Sequence, residues 1–232
     1  MSQLYPVKPN RPHTTVVLAM SADGKIADAH RTPPNFGSQA DYNALERQVA
    51  AADGVLFGGA TLRAGGTAMR VMTPELIAER QQQGKPEQPA QIVGTLSGKL
   101  DPDLRFFRQP VPRWLLTVSS GAEAWQASNH FEEILICEAD DQSLDWSSAL
   151  QRLADLKIKR LAVLGGGAIV AALLAHDLID ELHLTVCPLL LGGESAPSPV
   201  QGEGFGQDVA PRLELLSSDV QGQEIFLHYR VR

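Results

Sequence analysis

Short apolar runs recur along the chain, with helical patterns between them. Residues 16–20, 55–57, 114–118, 134–137 and 161–164 are apolar on consecutive positions except at Thr117. Runs of that kind predict strands buried on both faces, as a helix-covered parallel sheet requires. The intervening segments carry helix starts. Ser38 with Asp41 three residues on forms a capping-box pattern, followed by Tyr42, Leu45 and Val49 on one face. Thr73-Pro74-Glu75 supplies a cap, a proline at the first helical position and an acid in the first turn. Asp145 or Ser143 can cap a helix striped by Trp146, Leu150, Leu153 and Leu156, and a further helix is expected over about residues 168–176. This βαβ alternation predicts a mainly parallel, right-handed sheet.

The last fifty residues follow a different pattern. A long strand is expected over 182–191, then a Gly/Pro/Ser-rich loop over 192–210. Two strands follow at 213–216 and 225–231, joined near Gln221-Gly222. So short a turn makes that pair antiparallel. The expectation is a flexible segment over 1–12 and one α/β domain over 13–232.

The 232 residues carry a formal charge of −7, with six His, two Cys and 20% charged residues. The acidic balance argues against a nucleic-acid partner. Cys137 and Cys187 are too isolated for a zinc quartet or a disulfide framework, which makes a reducing, cytoplasmic setting the default. The most apolar stretch, 161–175, is short for a membrane span and holds three glycines. His176, Asp177, Asp180, Glu181 and His183 are read as a solvated connection and not as a metal site.

Three elements carry chemistry. VLFGGATLR, residues 55–63, reads as strand, Gly58-Gly59, then a short helix from Thr61. LAVLGGGAIVAALL, residues 161–174, repeats strand, glycines and helix. Glycine lets the backbone approach a ligand, and free amides at a helix start favour phosphate. Neither element matches G-x-G-x-x-G or a P-loop. The third, VVLAMSADGKIA, residues 16–27, ends a buried strand in polar groups where α/β sheets collect ligands. By its residues alone it is equally an Asp-Gly turn.

Together the three elements resemble the riboflavin-biosynthesis pyrimidine reductases. RPHTTVVLAMSADGKIA is similar to their opening signature, DGVLFGGATLR to their second, and residues 166–193 to their third. The resemblance implies a dihydrofolate-reductase-like three-layer α/β domain with a mainly parallel central sheet and a C-terminal antiparallel hairpin. It implies NADPH as hydride donor, usually a homodimer, and reduction of the ribosyl group of a ribosylamino-pyrimidine to a ribityl chain. Carried across, Thr61, Gly58 and the Gly165-Gly166-Gly167-Ala168 turn would hold the dinucleotide, with Ala19 at its nicotinamide end. Ser21, Asp23, Phe36 and Arg70 would face substrate, Asp23 as the catalytic group. Thr117, Ser119 and Ser120, with Arg63 or Arg113 for charge, are the expected 2′-phosphate site.

Three positions depart from the family pattern. Val17 stands for a lysine, Gly65 for an aspartate and Leu164 for a glutamate. The deaminase signature P-C-x-x-C is absent. The alternatives are a diverged NADPH reductase of a pteridine or dihydrofolate-like substrate, and a dinucleotide-binding protein without turnover.

Overall fold

The computed structural model describes residues 10–32 and 35–232; residues 1–9 and the two prolines at 33–34 lie outside the described residues. Of the segment expected to be flexible, Arg11 donates to both carboxylate oxygens of Asp180 at 2.7 and 2.8 Å, and Pro12 is buried.

The chain opens with β1 (His13–Ser21), α1 (Gln39–Ala51) and β2 (Gly54–Gly58). Next come α2 (Gly59–Gly65), α3 (Pro74–Gln82), β3 (Ala90–Gly94) and a 3-10 turn over Arg105–Arg108. After β4 (Arg113–Thr117), α4 (Ser119–Ala122) and β5 (Glu133–Ile136), α5 (Trp146–Asp155) leads into β6 (Arg160–Val163). The sequence closes with α6 (Gly167–Ala175), β7 (Glu181–Cys187), β8 (Leu213–Gln221) and β9 (Glu224–Val231). The strands form one sheet ordered β5-β4-β3-β2-β6-β1-β7-β9-β8. All pairings through β7 are parallel; β9 runs antiparallel to β7, and β8 to β9. Chain order reverses around β6 and β1, so the crevice of a doubly wound sheet lies at their carboxyl ends.

Two cores cover the two faces. On one, Val16, Leu18, Leu56 and Ile92 pack against the α5 stripe of Trp146, Leu150 and Leu153 and against Val170 and Leu173 of α6. Burying each of these large side chains contributes about 1.5–3 kcal/mol. On the other, Val55, Phe57 and Val93 meet Val49 of α1, Leu62 of α2 and an aromatic group containing Phe106, Trp125 and Phe131. The alternation Val55-Leu56-Phe57 feeds both cores from one strand.

Several sequence expectations shift. β3 escaped the hydrophobic pattern because Gln91 interrupts it; that side chain is buried and its amide donates to the Met69 carbonyl. The strand expected over 182–191 stops at Cys187, since Pro188 offers no N–H to continue the ladder. β8 runs on to Gln221, held by pairing with β9 despite its polar sequence. Leu156 ends its stripe 38% exposed. Thr73 does not cap α3 through its side chain; its hydroxyl donates to Glu46.

Candidate active site

Strand order makes the two glycine elements neighbours, because β2 and β6 pair in parallel. The Gly58 N–H donates to the Gly165 carbonyl at 3.1 Å. Gly165 holds φ +104, open to glycine and strained for other residues, and the Gly165–Gly166 peptide bond is cis. A Cβ built on Gly166 would lie 3.5 Å from Thr61 Oγ1 and one on Gly58 3.8 Å from it. The two glycine turns and the Thr61 hydroxyl are therefore packed together at the carboxyl ends of β2 and β6. At the start of α6, the Gly167 and Ala168 amides precede Ile169, whose N–H is the first to donate within the helix, to the Gly166 carbonyl. Gly167 is sealed from the other side: its carbonyl accepts from Gln201, and a Cβ there would meet the Ser198 carbonyl at 2.4 Å.

The loop leaving β1 is tied to the loop leaving β7. Ala22 N–H donates to the Leu189 carbonyl, and Ile26 N–H to Pro197. Asp23 is the clasp: Oδ1 accepts from the Ser21 hydroxyl at 2.6 Å and from Leu191 N–H at 3.0 Å, and Oδ2 from Gly192 N–H at 2.7 Å. The bond from Ser21, then those from Leu191 and Gly192, hold the Asp23 carboxyl down at about 2. The three bonds commit both carboxylate oxygens of Asp23 to tying the two loops together. Ser21 is buried, donating to Asp23 and accepting from Lys25 N–H, so it faces the loop and not a ligand. Ala19 is half-buried at the carboxyl half of β1. Phe36 and Arg70 are half-buried in the loops before α1 and between α2 and α3.

The expected 2′-phosphate group also changes. Thr117 is fully buried, with its hydroxyl turned to the Leu96 carbonyl at 3.4 Å. Ser119 is exposed, but its hydroxyl and amide both donate to Glu138, whose negative charge opposes a phosphate. Arg113 lies at the amino end of β4, bonded to the His130, Gln109 and Val111 carbonyls. Arg63 donates to the Lys99 carbonyl, beside Gly59.

Along the other side of β1, an open cavity of about 180 Å³ is bounded by α1, β7, β8 and β9, with Val17, Asp41, His183, Thr185 and Phe226 in its lining. Asp41 was expected to complete a capping box, yet Ser38 N–H and hydroxyl both donate to Glu224. The Asp41 carboxylate instead accepts from the Thr185 hydroxyl; burial, assisted by the Glu224 charge, raises its pKa against that bond. Burial, with the Glu224 and Asp41 charges, pushes the Cys187 thiol up to about 12 and makes it inert.

The connection expected to be solvated splits. His176 and Asp177 are exposed, but Asp180 and Glu181 are drawn into ion pairs. Glu181 accepts from His228 at 3.1 Å, and the His183 and His228 rings stack with centroids 4.0 Å apart. Among the described residues, Glu181, His183 and His228 bring ligand-type atoms within 4.8 Å of one another. Their present bonds make them an ion-pair cluster.

The sequence pattern of the RibD C-terminal domain matches residues 12–227. A 2,5-diamino-6-ribosylamino-4(3H)-pyrimidinone 5′-phosphate reductase from Archaeoglobus fulgidus is 27% identical over 195 residues, 84% of this chain and 89% of that one. Among solved structures, a pyrimidine reductase-like protein from Corynebacterium diphtheriae superposes with a TM-score of 0.79 at 19% identity, covering 96% of this chain and 93% of its own. A Thermotoga maritima diaminohydroxyphosphoribosylaminopyrimidine deaminase/5-amino-6-(5-phosphoribosylamino)uracil reductase superposes with a TM-score of 0.78 at 18% identity. This chain spans 57% of that protein's length, and 96% of its own residues are covered.

Proposed function

The chain belongs to the RibD C-terminal domain family, and from that premise we propose that it is an NADPH-dependent reductase of the riboflavin-pathway type. Its substrate in this reading is a 5-amino-6-ribosylamino-pyrimidine 5′-phosphate, whose ribosyl C1′ is reduced to give the ribitylamino product. The observation that carries the reading is the Gly58–Gly165 junction, which joins two glycine turns and the Thr61 hydroxyl at the carboxyl ends of β2 and β6, where strand order reverses.

The junction suits a dinucleotide. Thr61 offers a hydroxyl, α6 presents its first amides, and Arg63 supplies positive charge. Bound there, NADPH would supply the hydride. The chain's own work is positional. The Asp23 clasp fixes the β1 exit loop against residues 189–192, so that the wall above Ala19 keeps one shape. We find no observation favouring a dihydrofolate-like substrate or a protein without turnover.

A homodimer is part of the proposal. β8 is an exposed edge strand, and it carries Leu213, Leu215 and Val220 at 48%, 54% and 67% exposure. An apolar edge of that kind suits a second copy. The cysteines of the described residues are free and buried, in keeping with a cytoplasmic setting. No helix of the described residues is long and apolar enough to cross a membrane.

The test is calorimetric titration with NADPH and NADH in parallel, followed by turnover of the ribosylamino-pyrimidine phosphate. Tight, NADPH-preferring binding with oxidation on substrate addition is expected. Failure to bind either dinucleotide would overturn the reading.

A further inference from the structure

Alternate residues of β7 project from one face of the sheet, so Glu181 and His183 stand side by side, and register sets His228 of β9 opposite His183. Glu181 is 3% exposed, and the bond it accepts from His228 uses Oε2 alone. Its Oε1 is buried with no hydrogen-bond partner among the described residues. A buried carboxylate oxygen in that state is costly until a donor or a cation meets it. Arg230, opposite Glu181 in register, is turned instead to Glu214 of β8.

We propose that Glu181, His183 and His228 form a site for a divalent transition-metal ion of the zinc class, which ties β7 to β9. Two imidazole nitrogens and a carboxylate oxygen are a donor set that zinc takes, and the three donor atoms lie within 4.8 Å of one another. Tetrahedral coordination at about 2.1 Å sets donors roughly 3.4 Å apart, so these must draw in by roughly 1.4 Å at most. Rotation about the soft histidine Cβ–Cγ torsions supplies that movement and turns the stacked rings towards a common point. His13, 3.7 Å from Glu181 Oε2, steadies the carboxylate from its other side. The two imidazoles select against magnesium and calcium, which take oxygen donors. Three protein donors leave a fourth position for water, where His183 and His228 line the open cavity. Without the ion the three side chains form an ion-pair cluster; with it they clamp the last strand to the parallel sheet. The inference stands apart from the reductase reading, since neither dinucleotide nor pyrimidine enters it.

The experiment titrates the whole chain, free of any histidine tag and stripped with chelator, with Zn2+ against a chelating dye. Melting curves are recorded at each Zn2+ concentration. Wild type should bind one Zn2+ per chain at micromolar Kd or tighter, and its melting temperature should rise with Zn2+. His183→Phe and His228→Phe keep a ring at each position. Each should weaken Zn2+ roughly a hundredfold or more, because losing a mere supporting partner of a metal ligand already costs about 10–100-fold. His30→Ala and His176→Ala, at exposed positions, should bind as wild type does. Absence of binding by wild type, binding that survives either phenylalanine change, or loss in the exposed controls overturns the proposal. Where a phenylalanine variant fails to fold, the Co2+ complex of wild type decides without it. The intense visible bands of a tetrahedral nitrogen–oxygen set, kept in both exposed controls, support the site. The weak spectrum of the aquo ion, or loss of the bands in either control, overturns it.

Discussion

The Gly58 N–H and the Gly165 carbonyl are hydrogen bonded at 3.1 Å, so two glycine turns over a hundred residues apart in sequence form one rigid floor. Their neighbours should respond differently to a methyl group. Gly166→Ala places its methyl against the Thr61 hydroxyl at an ordinary 3.5 Å. It should fold normally and weaken NADPH roughly tenfold by occupying ligand space. Gly167→Ala collides with the Ser198 carbonyl at 2.4 Å and should cost about 1–3 kcal/mol of stability. Melting curves beside NADPH titrations separate the two, and equal effects on both readouts would refute the distinction.

Asp23 should act through loop position. Asp23→Asn replaces an acceptor of three hydrogen bonds with a group that is half donor. Turnover should fall about tenfold or more while NADPH affinity stays within about threefold, as expected when positioning is lost but cofactor contacts remain. With the folded pKa depressed to about 2, the clasp's contribution is complete above the ordinary aspartate value of about 3.9 and is lost as pH falls through about 2. Asp23 should therefore leave no titration in the kcat profile between about pH 5 and about pH 9. An inflection there that vanishes in Asp23→Asn would restore an acid–base role.

His183 predicts where acid begins to unfold the protein. Burial, with the His228 charge, lowers its pKa to about 4, and Glu181 opposes that only in part. The folded value lies below the ordinary 6.5 or so, so stability is complete above about 6.5 and declines as pH falls towards about 4. The loss is about 3 kcal/mol over that window. A second decline should follow below about 4.5: burial would raise Glu181, but its bonds and ion pairs with His13 and His228 bring it down to about 2. His183→Phe preserves a ring against His228 and should flatten the upper window alone. Identical slopes for wild type and variant in melts between pH about 7.5 and about 5 would exclude His183 as the source.

Glu46 is 2% exposed and accepts from Met72 N–H, Thr73 N–H and the Thr73 hydroxyl. It thus pins the start of α3 to α1, two residues beyond Arg70. Glu46→Ala leaves the Met72 and Thr73 amides without their acceptor and should cost about 1–3 kcal/mol. Substrate KM should rise through movement of the Arg70 loop, with NADPH affinity unchanged. A raised dinucleotide Kd would show that the loop serves the cofactor instead.

Much of this was legible in the sequence, and the reason is local. Strands such as Val55-Leu56-Phe57 announce themselves because both faces are apolar, and the second glycine turn because Gly165 holds a φ that favours glycine. The side-chain partners were not legible, since they are set by residues distant in sequence. Ser38 does cap α1, yet Glu224 takes its amide, which released Asp41 towards Thr185. Thr117 and Ser119 looked available until the Leu96 carbonyl and Glu138 were placed beside them.

The strand that bears Ala19 and leads into Asp23 comes first in sequence but has no early partner. His13 pairs with Arg160, and Thr15 with Glu181. Its two hydrogen-bonded neighbours are made only when most of the chain exists. Closing those long loops is slow, so β1 must wait, unpaired and apolar, while β2 to β5 can zip together beside it. No N-terminal fragment ending before β7 can hold the β1 exit loop in place. On the ribosome, competence for binding should arrive late and in one step, with the emergence of Cys187 and the residues that Asp23 clasps.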